Sequence, residues 1–182
     1  EAKSSYSFTV VATDAAGNAS EQAVALVINN LDEVAPSITS GGTAAAINEN
    51  SGAGQLVYTA TATDSADISG GVTFSLKNTG DAALFSINAN TGAVTLTGNP
   101  DYESKSSYSF TVIATDAAGN ASEQAVALVI NNLDEVAPSF TSGSTAAAIN
   151  ENSGAGQLIY TATATDSADI SGGVTFSLKS GV

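Results

Sequence analysis

The sequence predicts an all-β chain made of tandem seven-stranded Greek-key β-sandwiches, and three observations carry that prediction. The chain copies itself: residues 1–80 and 103–182 align at an offset of 102 and differ only at positions 2, 11, 38, 42, 57, 78, 79 and 80. A period of that size is one compact domain and is too long for a solenoid of small motifs. Apolar residues recur with period two in short runs, the sign of half-buried antiparallel strands. Asn, Gly and Asp clusters separate the runs, and no stretch sustains a helical period.

One whole unit is expected over residues 35–136. Residues 1–34 are expected to hold the last two strands of a preceding unit, and residues 137–182 the first three of a following one. Within the whole unit a first edge strand is expected over Ser37 to Ile47. In the second run Leu56, Tyr58, Ala60 and Ala62 share one face, with Val57, Thr59, Thr61 and Thr63 opposite. Val72, Phe74 and Leu76 form the third run. Phe85 and Ile87 form the fourth, and the turn from Asn88 to Gly92 leads into the fifth, with Val94 and Leu96. Asn and Gly supply the positive φ such a hairpin requires. Tyr108, Phe110, Val112 and Ala114 form the sixth run, and a turn over Asp116 to Asn120 leads to the seventh, with Val126, Leu128 and Ile130. Seven short strands in about 100 residues read as a β-sandwich. Tyr6, Phe8, Tyr108 and Phe110 read as core. Pro36 and Pro138 sit at the joins, where a missing backbone donor suits a unit boundary.

Charge is the second strong signal. Four lysines face 18 carboxylates for a net charge of −14, with no Cys, Met, His, Trp or Arg. Such a surface disfavours nucleic acid and anionic lipid as partners. No apolar run approaches the roughly 20 residues that span a bilayer, so membrane insertion is not expected. An enzyme reading reduces to the pair Asp101 and Glu103, with no His, Cys or Arg to assist, and a non-enzymatic role is expected.

The acids are not scattered. Glu49 lies in Asn48-Glu49-Asn50-Ser51-Gly52, between the first two strands. Asp64 and Asp67 follow the second strand, Asp101 and Glu103 precede the sixth, and Asp116 ends it. Asp116 to Asn120 also reads as a plain turn, and Asp101 beside Pro100 as a loop acid. Gathered carboxylates are what a hard, oxygen-seeking cation requires.

At these residues the chain resembles the cadherin family, in the form found in long bacterial surface proteins. Asn48 to Gly52 resembles the family's first-loop glutamate motif, and Asp101-Tyr102-Glu103 its Asp-x-Glu motif. Asp64-Ser65-Ala66-Asp67 is similar to its Asp-x-Asp motif with one residue inserted, and Ala114-Thr115-Asp116 to the motif ending the sixth strand. Asn132 to Pro138 resembles the linker Asp-x-Asn-Asp-Asn-Ala-Pro, with Asn132 in place of the first acid and Val136 in place of the last Asn. Of the 18 acids, Glu21, Asp81 and Glu123 fall outside these motifs.

The resemblance implies cadherin/immunoglobulin-like sandwiches that bind Ca2+ where neighbouring repeats of the same chain meet. It assigns the joint after the whole unit to Glu49, Asp101, Glu103, Asn132, Asp134, Glu135, Asp166 and Asp169. It assigns the joint before it to Glu1, Asn30, Asp32, Glu33, Asp64, Asp67 and Asp116. The function it implies is a calcium-rigidified extender of a secreted bacterial adhesin, extracellular and on the cell surface, projecting a binding region for cell or biofilm attachment. The alternative is a lateral adhesion module that binds carbohydrate or like molecules.

Overall fold

The computed structural model describes residues 3–65, 68, 70–167, 169–170 and 172–180. In chain order the strands are β1 (Ser5–Thr13), β2 (Ala19–Val27), β3 (Ser37–Ile38), β4 (Ile47–Asn48), β5 (Gln55–Thr59), β6 (Ala62–Thr63), β7 (Val72–Leu76), β8 (Phe85–Ile87), β9 (Ala93–Leu96), β10 (Ser107–Asp116), β11 (Ala121–Asn131), β12 (Ser139–Phe140) and β13 (Ala164–Thr165). A 3-10 turn, Ala82–Leu84, precedes β8.

Two sheets face each other across the core. One has the order β4-β11-β10-β7 and the other β5-β9-β8, with the short pair β3-β6 at the margin. The chain crosses between the sheets from β4 to β5, from β7 to β8 and from β9 to β10, while β8–β9 and β10–β11 stay within one sheet, the connectivity of a Greek-key sandwich. The alternation seen in the sequence is the alternation in burial: Phe110, Val112 and Ala114 of β10 and Val126, Leu128 and Ile130 of β11 point inward. They meet Val57, Tyr58, Phe85, Val94 and Leu96 of the other sheet. Phe110 stacks tilted on Phe85 at 4.6 Å and edge-on to Tyr58 at 5.9 Å.

The Asn88–Gly92 turn forms as the sequence predicts. Asn88 Oδ1 accepts from the N–H groups of Asn90 and Thr91 at 3.0 and 3.1 Å, and Gly92 takes φ +68°. A Cβ at Gly92 would overlap the Ala60 carbonyl oxygen, so only glycine fits there.

Four expectations need correction. The first strand is not continuous: β3 pairs antiparallel with β6, whereas β4 pairs parallel with β11 in the other sheet. The chain changes sheets through Gly41-Gly42, and a Cβ at Gly42 would lie 3.0 Å from the Ala125 carbonyl oxygen. The second strand breaks into β5 and β6, and a bulge at Leu56/Tyr58 shifts its register. Val57 and Tyr58 therefore both turn inward, leaving Leu56 60% exposed and Val57 4% exposed. Third, Tyr6 and Phe8 are exposed, unlike their copies Tyr108 and Phe110, because no second sheet covers the β1–β2 hairpin among the described residues. Fourth, in the following repeat the described residues form only β12 and β13. The segments matching β5 and β7 find no counterpart of β9 or β10 to pair with among the described residues.

Candidate metal centre

The sandwich brings the motif loops to its two ends. At one end lies the turn Asn48–Gly52, shaped by Asn50 at φ +56° and Gly52 at φ +91°. Its Glu49 is 1% exposed, a burial that a carboxylate tolerates only with partners. Those partners are backbone N–H groups: Tyr102 N donates to Oε2 at 2.8 Å and Leu133 N to Oε1 at 2.6 Å. One carboxylate thus ties together the Asp-x-Glu loop and the linker.

Glu103 and Glu135 join it, and one carboxylate oxygen from each of the three lies within 4.8 Å of the others. The crowding shows in their protonation. The backbone N–H of Glu103 pulls its carboxyl down, but desolvation, the charge and hydrogen bond of Glu49 and the charge of Asp169 prevail, and the net shift is upward from 4.5. Desolvation, then the charges of Glu49, Asp101 and Asp169, raise Glu135 above 4.5.

Asp101 stands outside this triad. Its oxygens accept from Ser104 N at 3.0 Å and Ser104 Oγ at 2.8 Å, which hold its pKa below the ordinary 3.8. Asp169 of the following repeat reaches back to the linker: Asn132 Nδ2 donates to its Oδ1 at 3.1 Å and Glu135 N to its Oδ2 at 3.2 Å. Asn132 Oδ1 is buried with no hydrogen-bond partner. Asp134 accepts from Val136 N at 3.2 Å within its own turn, and Asp166, half-buried, also lies outside the triad.

At the opposite end a second triad forms from Asp32, Asp64 and Asp116, again with oxygens within 4.8 Å of one another. Asp116 closes the β10–β11 turn. Its Oδ1 accepts from Gly119 N at 2.7 Å and Asn120 N at 2.8 Å, and its Oδ2 from Asn120 Nδ2 at 2.9 Å. Desolvation pushes its pKa up, but these bonds, led by the Asn120 amide, outweigh that and lower it from 3.8. Asn120 Nδ2 also donates to the Asp32 carbonyl at 3.0 Å, a direct link between the linker and the whole unit. Asp64 Oδ2 is buried without a hydrogen-bond partner. Asn30 and Glu33 lie outside the triad, and Glu1 and Asp67 lie outside the described residues.

The donor set fits a hard divalent cation. Oxygens bound to one calcium at about 2.3–2.6 Å lie at most about 5 Å apart, which both triads satisfy. Asp64 Oδ2 and Asn132 Oδ1 are buried acceptors without a hydrogen-bond donor, as ligand atoms would be. With no His or Cys in the chain, a softer thiolate or imidazole site has no ligands. The motif reading did not single out Asn99, Asn131 and Ser104, which hold the loops in place. The available signal was the density of Asn beside the acids.

Comparison with known proteins gives a consistent answer. Residues 43–133, half of the 182, match the model of the cadherin domain, a span that includes Glu49, Asp64, Glu103 and Asp116. Protocadherin Fat 4 of Mus musculus is 29% identical over 184 residues, covering 98% of this chain and 4% of that protein. Cadherin-23 of Homo sapiens is 36% identical over 182 residues, covering 94% of this chain and 5% of that protein. The chain therefore spans only 4–5% of the length of these relatives. Among solved structures, the protocadherin gammaB7 EC3-6 cis-dimer superposes with a TM-score of 0.55 at 20% identity, over 78% of this chain and 36% of that one. Human protocadherin-24 EC1-2 gives 0.54 at 21% identity, over 76% and 62%. These two likenesses support the fold alone. On the strength of the domain match, the chain belongs to the cadherin family, whose repeats are extracellular, cell-surface adhesion modules.

Proposed function

We propose that this chain is a calcium-rigidified extender, a stalk of tandem repeats that holds a distant binding region away from a surface. The observation that carries the reading is the pair of carboxylate triads at opposite ends of the unit 35–136. The 102-residue repeat makes them complementary. Shifted by one period, Asp32 and Asp64 become Asp134, next to Glu135 in the linker, and Asp166 of the following unit. Each full joint then contains both triads, one from the unit before it and one from the unit after it, with room for at least two cations. Residues 1–34 and 137–182 are on this reading parts of the neighbouring units.

The charges outside the joints support it. In the whole unit the acids outside the motifs are Asp81 and Glu123. Lys105 pairs with Asp81 at 3.0 Å and Lys77 with Glu123 at 2.8 Å. The unpaired negative charge is thereby concentrated where the units meet. Without a cation the joint carboxylates repel one another and the joint bends. When bound, calcium supplies the counter-charge that lets Glu49, Glu103, Glu135 and their neighbours converge. Asn132, Asp134, Asp166 and Asp169 complete the shell from the linker and the following unit, and the array becomes a rod.

The bacterial setting, with a role in cell or biofilm attachment, is part of the proposal and comes from the resemblance of the repeat motifs, while the near-identity of the repeats supports the spacer role. The relatives named above are animal proteins. Small-angle X-ray scattering tests the extender reading: the maximum dimension should lengthen and sharpen in millimolar calcium relative to chelator. Equal profiles would refute it.

A further inference from the structure

Building on the calcium reading, we propose that Asn99, which belongs to none of the acidic motifs, is a positioning residue that sets Glu49 for the cation. The turn Asn48–Gly52 recurs as Asn150–Gly154 with the same shape: Asn50 and Asn152 take φ +56° and +60°, and Gly52 and Gly154 take +91° and +86°. That shape is therefore local to the five residues. Glu49 is buried by what the turn is fastened to.

Asn99 fastens one side. Its Oδ1 accepts from Gly52 N at 2.8 Å and its Nδ2 donates to Asn50 Oδ1 at 3.2 Å. Asn50 N donates in turn to the carbonyl of buried Pro100 at 2.9 Å. Two residues further on, Tyr102 N reaches Glu49 Oε2. On the other side Asn131 Nδ2 donates to Asn48 Oδ1 at 3.0 Å and its carbonyl accepts from Glu49 N at 3.1 Å. Glu49 is thus held between two amide clasps, with the linker N–H of Leu133 on its remaining oxygen.

Asn suits this place because a carboxamide donates and accepts at once, carries no charge beside Asp101 and Glu103, and does not titrate. The clasp therefore holds in the metal-free chain. It presents Glu49 in one orientation, so the cation meets a fixed ligand. Removing an outer partner that orients a metal ligand typically weakens metal binding by about 10–100-fold.

The test uses the full chain and two variants, Asn99→Ala and Asn99→Asp, the latter keeping the acceptor for Gly52 N. Calcium titration by calorimetry and amide hydrogen exchange in chelator are read on each. The expected result is about tenfold weaker calcium binding for Asn99→Ala, with faster exchange at Tyr102 as well as at Gly52, and slower exchange at both amides in Asn99→Asp than in Asn99→Ala. A structural role confined to the turn would speed Gly52 alone. Wild-type calcium affinity in Asn99→Ala, or an unchanged Tyr102 amide, would overturn the assignment. Failure of the calcium reading itself shows separately, as a wild-type chain that takes up no calcium. Should Asn99→Ala not fold, Tyr102 exchange in Asn99→Asp decides: it must be faster than wild type, since the donor to Asn50 is gone.

Discussion

Replacing Glu49 by Gln is the sharpest probe of the joint, because shape is kept while one charge and one acceptor are removed. Glu49 receives Tyr102 N at 2.8 Å and Leu133 N at 2.6 Å. A carboxamide in either orientation sets its NH2 against one of these donors, leaving a backbone group without its acceptor at about 1–3 kcal/mol. In chelator that loss is partly offset, since the charge facing Glu103 and Glu135 has gone. In calcium the loss of a charged ligand adds to it. Taking the affinity to fall about a hundredfold, the top of the range seen for outer partners, the difference follows from linkage. At a calcium concentration of about 100 times the wild-type Kd, binding stabilises wild type by about 2.7 kcal/mol and the variant by only about 0.4 kcal/mol. For a domain near 100 residues, each kcal/mol moves Tm by about 4–8 °C. The wild-type rise on adding calcium is then about 11–22 °C, and that of Glu49→Gln about 2–3 °C. Differential scanning calorimetry in calcium and in chelator measures both. If the two proteins rise equally, Glu49 is not a ligand and the triad is only a solvated cluster.

Four further outcomes follow from the structure. Asp64→Asn should have opposite effects in the two conditions: it removes a buried oxygen without a hydrogen-bond partner, raising the chelator Tm, and abolishes one class of calcium site by titration; a lowered chelator Tm would contradict this. In chelator, Glu103 and Glu135 titrate above 4.5 in the folded chain, so stability should rise as pH falls from 7 toward 4.5; Asp101 and Asp116 titrate below 3.8, so their contribution is lost under more acid conditions, and a Tm falling steadily from pH 7 would refute the assignment. Leu56→Ser should change stability by less than about 0.5 kcal/mol, whereas Val57→Ala should cost about 2 kcal/mol in denaturant unfolding; the reverse order would restore the unbulged strand. Gly92→Ala should cost roughly 3 kcal/mol or more, from strain at φ +68° and collision with the Ala60 carbonyl; a neutral effect would place the turn elsewhere.

The fold was legible in the sequence wherever one face of a strand meets the core and the other meets water. β10 and β11 show this best: Phe110, Val112 and Ala114 alternate with Thr111, Ile113 and Thr115 and lie buried as the period requires. The bulge at Leu56 was not legible, because Leu56, Val57 and Tyr58 are consecutive apolar residues and nothing local says which two turn inward. The divided first strand was hidden for a related reason. Its small residues fit either sheet, and the choice is made by partners far away in sequence. The acids were legible as sets but not as contacts. Asp101 and Glu103 lie two residues apart, yet Ser104 captures Asp101 and only Glu103 joins the triad. Asn99 and Asn131, which hold the Glu49 turn, belong to no motif, and only the hydrogen bonds single them out among the Asn residues beside the acids.

The hairpins β1–β2 and β10–β11 share one register pair for pair, from Ser5 with Val27 and Ser107 with Val129 to Thr13 with Ala19 and Thr115 with Ala121. Their side chains carry almost no label saying which sandwich each must close. A chain refolding from denaturant would sample exchanged closures between successive copies, the misassembly characteristic of like domains in tandem. Synthesis from one end removes that ambiguity, since each copy emerges and shuts before its twin exists.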